Sequence, residues 1–408
     1  MPTTGMPPGS TRSLGILTTS AEQFPPFENR GFYRRLCLLG RKLGLRVFVF
    51  TPEGADWKQS RIAGFYYDAG THSWVSGSFA LPPLVYDRCF CTTRRQYADY
   101  RLAIAELHRR PGIRLLGCGL KGKWEVHRLL AADSRIARYL PETEPLRSMR
   151  TAAEWLKQYG EAVLKPAGGS QGRGVLHVRR EAQGSFPRFT VRGRDACNNV
   201  ISRSFPNAGE LFGWLRRLIG RRRYLVQRYL QLHTGDGDAF DVRALVQKAA
   251  GGSWRLTGFG VRLGQNGSLT SNLHGGGRVA AAEPWLAREF GRERADALLE
   301  ELSRLCEIVP EALEAGHGRL AELGLDFGID RGGHIWLLEA NSKPGRSIFT
   351  HLHDERAQLA AASSPLRYAD YLLRHAGGSG LAPGAAMTVK AYRTADRTEG
   401  QAELREQK

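Results

Sequence analysis

Short apolar runs alternate with helical patterns over the first 118 residues of the chain. This strand–helix–strand order predicts a small, mainly parallel sheet with helices on its faces, which we assign to an N-terminal α/β domain over residues 1–118. The strands are expected at 14–19, 45–50, 81–90 and 113–118, and the helices at 32–44 and 94–110.

From residue 119 the pattern changes to hairpins and longer helices, so we expect an α+β region over 119–375. Its first hairpin joins strands at 161–166 and 174–180 across a glycine-rich turn. The other elements are expected as helices at 123–140, 208–223 and 284–315, and as strands within 224–230, 240–248, 254–263, 323–330 and 334–340. The composition of residues 376–408, which contain few large apolar side chains, predicts a disordered tail.

Composition argues against a membrane or secreted protein. No apolar run approaches the roughly 20 residues that cross a bilayer. Proline and glycine interrupt the first 20 residues, where a secretion signal needs an apolar stretch. The six cysteines are scattered and lack the spacing of a zinc site, so we expect reduced thiols in a cytoplasmic protein.

The formal net charge is +19, from 59 basic and 40 acidic residues, which raises the question of nucleic-acid binding. Only ten of the basic residues are lysines, and the arginines are spread along the whole chain. Such a spread is more typical of a solvated surface than of a groove for DNA, so nucleic acid is not the expected partner. The scarcity of lysine makes each lysine inside a motif more informative.

The stretch "HIWLLEANSKPGR" places Glu339 and Asn341 at the end of an apolar strand. Residues two apart share a face and lie about 6.6 Å apart along the strand. Asp326, amid apolar residues on the preceding strand, adds a second carboxylate. Oxygen ligands of this kind suit Mg²⁺. The alternative is a capping glutamate and a turn-forming asparagine at a strand end.

The stretch "VLKPAGGSQGRGV" places Lys165 at the end of a strand, directly before a glycine-rich turn. Glycines let backbone N–H groups approach phosphate oxygens, and a lysine beside them favours a phosphate site. The alternative is a flexible hairpin turn. The loop residues proposed to contact the phosphates are Gly168, Gly169, Ser170, Gln171 and Gly172.

Further polar groups lie on the next strands. "FDVRALVQK" contains Asp241, Arg243 and Lys248, and an internal ion pair between Asp241 and Arg243 is the structural alternative to a role in binding. Arg262 and Asn272 precede a run of three glycines, and an arginine and an amide there suit stabilisation of a transferring phosphoryl group. The alternative is a surface hairpin.

The stretch "GCGLKG" at 117–122 matches the G-x-G-x-x-G pattern of dinucleotide-binding folds. No strand with an acidic end follows about 20 residues later, as such a fold requires. We therefore do not assign a dinucleotide site to it.

The order of these motifs resembles the ATP-grasp superfamily. The matching parts are a lysine at a helix start (Lys123), Lys165 before the glycine loop, the strand at 224–230, and "EANSKPG" after Asp326. Over about residues 12–375 the chain is similar to the YheC/YheD-type endospore coat-associated proteins of that superfamily.

The resemblance implies an ATP-grasp fold, in which two α+β subdomains clasp ATP and Mg²⁺, with Mn²⁺ as an alternative metal. Such proteins typically convert a carboxylate to an acyl phosphate that an amine or a thiol then attacks. The substrate expected here is a small-molecule or peptide carboxylate, and spore-coat proteins are candidate partners.

Residue roles follow from the same resemblance. Lys123 and Lys165 would contact the α- and β-phosphates, and Gln227 would face adenine. The γ-phosphate or acyl phosphate would meet Arg243, Lys248 and Arg262, the metal would be held by Asp326, Glu339 and Asn341, and the residues assigned to catalysis are Arg243, Arg262 and Asn272. The strand at 224–230 lacks the acid that often binds ribose in the family, and Asp236 and Asp238 are the nearest candidates.

Two other functions remain open at this stage. The chain could be a non-catalytic nucleotide-binding component of the spore coat, or a nucleic-acid binder, the latter on charge alone. Segment 185–205 has no function that its sequence identifies.

Overall fold

The computed structural model describes residues 12–169, 172–182, 187–264 and 277–375, which form three sheets with ten α-helices. Ser170, Gln171, Asn272 and the tail at 376–408 lie outside the described residues. All six cysteines are free thiols. Within the described ranges, the helices lack the combination of length and apolar character needed to cross a membrane.

The first sheet contains the four strands and two helices expected in the N-terminal part. Its central strands are short apolar runs buried on both faces, as parallel strands covered by helices require. The strands are β1 (Ser13–Leu17), β2 (Arg46–Phe50), β3 (Ala55–Asp56), β4 (Arg61–Asp68), β5 (Ser73–Ala80), β6 (Leu84–Asp87) and β7 (Arg114–Leu115), with helices α1 (Arg30–Lys42) and α2 (Arg94–His108).

The order in this sheet is β3-β4-β2-β1-β6-β7, with β5 paired to β4. Strands β1, β2, β6 and β7 are parallel, as predicted, whereas β3, β4 and β5 form an antiparallel extension for which the sequence analysis gave no elements. The carboxyl ends of the adjacent strands β1 and β6 meet at one edge of the sheet. From β1 the chain continues to β2 on one side, and from β6 it continues to β7 on the other side. Such a point in an open α/β sheet forms a crevice.

The second sheet is antiparallel and contains the predicted glycine-rich hairpin, whose strands β9 and β10 pair directly. Its order is β12-β11-β10-β9-β13-β8. The strands are β8 (Thr143–Pro145), β9 (Glu161–Pro166), β10 (Leu176–Glu181), β11 (Arg188–Arg194), β12 (Val200–Phe205) and β13 (Tyr224–Arg228), and the neighbouring helices are α3 (Lys123–Ala131), α4 (Ser134–Ala137), α5 (Met149–Tyr159) and α6 (Ala208–Ile219).

The third sheet has the order β16-β15-β14-β17-β18 and is also antiparallel. The strands are β14 (Phe240–Lys248), β15 (Trp254–Leu263), β16 (Arg278–Ala280), β17 (Glu322–Ile329) and β18 (Ile335–Asn341), with helices α7 (Ala282–Phe290), α8 (Arg292–His317), α9 (Ser347–His351) and α10 (Glu355–Arg374).

Two helices predicted as continuous are divided. The helix expected over 123–140 is interrupted because the Asp133 side chain accepts a hydrogen bond from the Arg135 backbone (3.0 Å) and caps α4. The helix expected over 284–315 is divided into α7 and α8 at Gly291, whose φ of 83° lies in the left-handed region that favours glycine.

The last helix, α10, completes the core of the first sheet. Its Leu366 and Leu372 are buried in one cluster with Leu14 and Leu36. Arg114 donates to the Leu372 carbonyl (2.9 Å), and Arg12 forms an ion pair with Asp370. The helix that covers the first sheet therefore comes from the far end of the chain.

Candidate active site

Opposite charges pair across three neighbouring strands of the third sheet. Arg262 on β15 donates to both carboxylate oxygens of Asp241 on β14 (2.6 and 2.7 Å). Arg243 on β14 binds Asp326 on β17, with 2.9 Å from Nη2 to Oδ2, and Arg262 Nη2 is 3.2 Å from Asp326 Oδ1. Asp241 and Arg243, the two members of the internal pair offered as a structural alternative, thus each bind the residue directly opposite on the next strand.

Asp326 is the centre of this network. Burial raises the pKa of its carboxyl group, but Arg243 and Arg262 outweigh burial and hold that pKa below its usual value. Glu339 on β18 is directly opposite Asp326, and a register shift follows between Asp326 and Phe327. Asn341 lies two residues beyond Glu339. The structure thus brings the three predicted metal ligands onto two adjacent strands.

The start of helix α3 reaches this strand end. Lys123, the first residue of α3, places its Nζ 3.4 Å from Glu339 Oε1. Its backbone N–H donates to the Ala167 carbonyl (3.2 Å), at the beginning of the glycine-rich loop. One residue therefore links the glycine loop to the strand that carries Glu339.

Lys165, at the end of β9, completes the group from the second sheet. Its Nζ donates to Gln227 Oε1 (3.0 Å), and Gln227 Nε2 donates to Thr143 Oγ1 (2.8 Å). Burial lowers the pKa of Lys165 to about 8, with a further contribution from the charge of Lys123 that Glu339 partly opposes. Two lysines and a carboxylate from three separate elements therefore surround one space.

His127 also belongs to this surrounding, although the sequence analysis did not single it out. It lies one helical turn after Lys123 on α3, with its ring stacked on Trp124 (centroids 5.5 Å apart). Burial and the charge of Lys165 lower the pKa of His127 to about 4, so the ring is neutral at pH 7. The spacing of four residues from a predicted binding lysine is the signal that could have identified it.

The glycine-rich loop is closed at its far end by Gly174. Its φ is +73°, and a Cβ atom there would lie 2.8 Å from both the Pro166 ring and the Tyr224 hydroxyl. No other residue fits this position without displacing its neighbours. Gly168, Gly169 and Gly172 are described on either side of the two residues that are not.

Lys248 does not join the group. Its Nζ is 2.7 Å from Glu314 Oε1 on α8 and 5.3 Å from the ring centroids of Trp254 and Tyr368. Lys248 is at the opposite end of β14 from Asp241, five residues beyond Arg243. The side chain of Lys248 is held by Glu314 on α8, so the structure does not place it where the expected contact with the γ-phosphate would require.

The remaining candidates lie at the margins. Asp238, in the turn before β14, is 3.8 Å from Arg278, and Asp236 is in the same turn. The stretch at 117–122 runs beside the strand end, where the Leu120 backbone donates to Ser342 Oγ (2.9 Å).

A charged crevice separates the first sheet from the strand end. Arg88, after β6, is 2.8 Å from Glu322 on β17, and its Nη2 donates to the Pro344 carbonyl (3.1 Å). Lys343 Nζ is 2.8 Å from Asp87. Arg88 Nε is buried without a hydrogen-bond partner among the described residues. Neither Arg88 nor Lys343 is part of a recognisable sequence motif, and their partners are more than 200 residues away.

The donor set at the strand end suits a hard cation. Asp326, Glu339 and Asn341 offer oxygen atoms on one edge, and lysine or arginine side chains neutralise both carboxylates. A hard metal cation at this position can exchange a carboxylate ligand for a phosphate oxygen. In the described part of the chain, no group of three or more histidine, cysteine, aspartate or glutamate side chains could hold a metal ion.

Comparisons with a family model and with individual proteins indicate the same family. Residues 112–372 match the model of the YheC/D-like ATP-grasp family. The chain is 28% identical to the endospore coat-associated protein YheC of Bacillus subtilis (strain 168) over 84% of this chain and 92% of the relative. It is 29% identical to YheD of the same strain over 87% of this chain and 76% of the relative.

A solved structure supports the same fold. The D-cycloserine synthetase DcsG covers 89% of this chain and 99% of its own length, with a TM-score of 0.51 and 13% identity. Together with the matching family model, this likeness confirms the fold class expected from the sequence.

Proposed function

The chain belongs to the YheC/D-like ATP-grasp family, and from that premise we propose that it is an ATP- and Mg²⁺-dependent ligase acting on a carboxylate. The γ-phosphoryl group of ATP passes to a carboxylate oxygen and ADP leaves. An amine or a similar nucleophile then attacks the acyl carbon of the acyl phosphate, and inorganic phosphate leaves.

The observation that carries this proposal is the convergence of Lys123, Lys165 and Glu339. Lys123 is 3.4 Å from Glu339, and both groups influence the pKa of Lys165. Two cations beside a glycine loop and a carboxylate pair beside them form a surface complementary to a metal-bound triphosphate. Phosphoryl transfer depends on such charge neutralisation and positioning more than on a strong base.

Each group has a defined part in the proposal. Lys123 and Lys165 contact the α- and β-phosphates, and Gln227 orients Lys165 and borders the adenine. Arg243 and Arg262 exchange part of their contact with Asp326 for the transferring phosphoryl group. Asp326, Glu339 and Asn341 hold Mg²⁺, which when bound neutralises charge on the phosphate oxygens.

The carboxylate substrate is assigned to the crevice beside the strand end. Lys343 lies there two residues beyond Asn341, and Arg88 contacts the Pro344 carbonyl; the Arg88 Nε–H group is available to donate to an anionic group after a small rearrangement. The N-terminal sheet contributes its carboxyl edge to this crevice, which is where ligands of open α/β sheets bind.

ATP binding should depend on pH through Lys165. Bound phosphates raise the pKa of Lys165 above its value of about 8 in the free protein, so above pH 8 the complex retains a proton that the free protein has lost. We expect ATP affinity to be constant from pH 7 to 8 and then to fall by up to about tenfold per pH unit.

Calorimetry in buffers of different ionisation enthalpy measures this directly, with uptake approaching one proton at pH 9 and none at pH 7. Lys165→Arg is the matched control, because arginine stays charged throughout and should give a flat profile. A flat profile for the unmodified protein would contradict the role of Lys165.

The metal assignment is tested with Glu339→Gln. With Mg²⁺ present, this variant should bind ATP at least tenfold more weakly, because a metal ligand is lost. Without Mg²⁺ it should bind ATP as tightly as the unmodified protein or more tightly, because one negative charge near the phosphates is removed. The exposed Glu300→Gln on α8 serves as a control for charge. If the two variants bound Mg²⁺·ATP with equal affinity, Glu339 would not be a metal ligand.

A second candidate function is a structural component of the spore coat that binds nucleotide without turnover. The names of YheC and YheD record association with the endospore coat, and we extend that association to this chain as a proposal. Release of ADP on addition of pooled carboxylates and amines favours the ligase. Binding of ATP without release across such a panel favours the structural role.

A further inference from the structure

Residues 188–205, within the segment 185–205 whose function the sequence does not identify, form a hairpin that extends the second sheet. Strands β11 and β12 pair antiparallel along their length, and β11 continues the sheet from β10. The loop that joins them lies behind the glycine-rich loop, since the Gly174 backbone donates to the Asp195 carbonyl (3.0 Å). The hairpin is thus a continuation of the sheet that carries Lys165.

The two faces of this extension differ. Phe189, Val191 and Phe205 are buried on the side of α5 and α6. The opposite side carries the alternate residues of the strands, including four arginines that we call the basic face: Arg179, Arg188, Arg192 and Arg194.

The basic face has a surplus of positive charge. Arg179, Arg188 and Arg192 are exposed, and among the described residues none of the three has an ion-pair partner. Two acids share this face, Glu161 opposite Arg179 and Glu181 opposite Arg188. Glu161 also contacts His177 (2.9 Å), and Glu181 accepts a hydrogen bond from the Thr190 hydroxyl (3.2 Å). Four arginines against two carboxylates leave the face with a positive charge that attracts an anionic ligand.

The basic face is continuous with the phosphate lysine. Leu164, next to Lys165, is opposite Leu176, which is in turn opposite Gly193, next to Arg194. Two strand spacings separate Lys165 from Arg194, a distance of about 10 Å. A ligand on this face therefore reaches the neighbourhood of the nucleotide site.

Beside the basic face the sheet ends in an open edge. Strand β12 is the terminal strand, and Val200 on it is 74% exposed. Ser202, opposite Arg192, and Ser204 are also exposed. A terminal strand presents unpaired backbone N–H and C=O groups that can pair with another extended chain.

We propose that the basic face and the β12 edge bind an acidic peptide in extended conformation, which adds to the sheet as a further strand. Side chains of a strand alternate between faces, so acidic residues at every second position would all lie on the same face of the sheet as the arginines. The proposal concerns binding and does not depend on the ligase reaction proposed above.

Other occupants fit less well. The tail at 376–408 contains five basic and four acidic residues, so it lacks the complementary charge, and a second copy of a chain with net charge +19 is repelled. Single-stranded nucleic acid needs open aromatic rings for its bases. Here the His177 and Tyr229 rings stack on each other, with centroids 3.9 Å apart, which covers one face of each ring. A nucleotide also has no peptide backbone that could pair with the β12 edge.

The test measures fluorescence anisotropy of a labelled ten-residue peptide of alternating glutamate and threonine with the full-length protein. We expect Arg179→Gln/Arg192→Gln to weaken binding at least tenfold. The control Arg95→Gln/Arg150→Gln removes two exposed arginines from α2 and α5 and should change binding less than twofold. Thermal unfolding of both variants confirms that they are folded.

A second peptide, N-methylated at alternate residues, tests the strand pairing. It keeps its charge but loses backbone donors, so strand addition predicts at least a tenfold loss of affinity. Equal loss in the two double variants, or affinity unchanged by N-methylation, would overturn the proposal. The proposal would also be overturned if a ten-nucleotide oligothymidine bound as tightly as the peptide with the same dependence on Arg179 and Arg192. Absence of any binding of the peptide would overturn it as well.

Discussion

Lys165→Met is expected to make the nucleotide-free protein more stable while removing most of its affinity for ATP. Burial holds the pKa of Lys165 at about 8, below the value of 10.5 for an exposed lysine. Below pH 8 the folded state therefore contains a charge that the unfolded state solvates better, and this costs about 3 kcal/mol. Methionine removes that cost, although Gln227 Oε1 loses its donor, so the net gain is about 1–2 kcal/mol.

The loss of binding has the same origin. Hydrogen bonds to a charged group contribute about 1.5–3 kcal/mol, so the loss of the phosphate contact should weaken ATP binding roughly 10- to 150-fold. The stability gain should disappear between pH 8 and 10.5, because the unmodified lysine is progressively neutral in the folded state there. Denaturation at pH 7 and pH 10 and calorimetry with ATP measure both effects. The exposed Lys157→Met is the control, and a lower stability of Lys165→Met at pH 7 would contradict the account.

Asp326→Leu should destabilise the protein by about 3 kcal/mol, since it leaves a buried arginine without its partner. The side chains of Arg243 and Asp326 are 13% and 10% exposed, whereas Arg262 retains Asp241 after the change. The double variant Arg243→Met/Asp326→Leu should recover most of that loss, because apolar groups of similar size can replace a buried ion pair at little cost. Chemical denaturation gives both values.

Binding of Mg²⁺·ATP distinguishes structure from function in this pair. Both variants should lose it, because Asp326 is a proposed metal ligand whether or not the fold is restored. Lys248→Met, which breaks the ion pair with Glu314 outside the site, should leave ATP affinity within twofold. A double variant that binds Mg²⁺·ATP normally would exclude Asp326 as a ligand, and a double variant as unstable as Asp326→Leu would contradict the ion-pair explanation.

The sequence predicted the hairpins that carry the site because their strands are short apolar runs bounded by turn residues. Strands β9, β17 and β18 agree with the expected runs to within about two residues. The pairing of charges was not predictable in this way. Directly opposite residues on adjacent strands lie about 5 Å apart at Cβ, closer than residues two apart on one strand, and Asp241 accordingly binds Arg262 across the strands.

Other features depend on contacts between distant segments. The lowered pKa of Lys165 arises from burial and from Lys123, which is 42 residues earlier on a different element. Arg88 and Lys343 lie in a crevice that forms only when the first sheet packs against the third. Gly193 and Arg203 interrupt the apolar face of strands β11 and β12, so their alternation was too weak to predict a hairpin.

The packing of α10 on the first sheet has a consequence for synthesis of the chain. Because Leu366 and Leu372 are part of the same core as Leu14, the amino-terminal sheet emerges from the ribosome long before the helix that shields one of its sides. Until about 370 residues have been translated, that side stays open to water or to chaperones. The core of the amino-terminal sheet is thus completed by α10, one of the last segments to be translated.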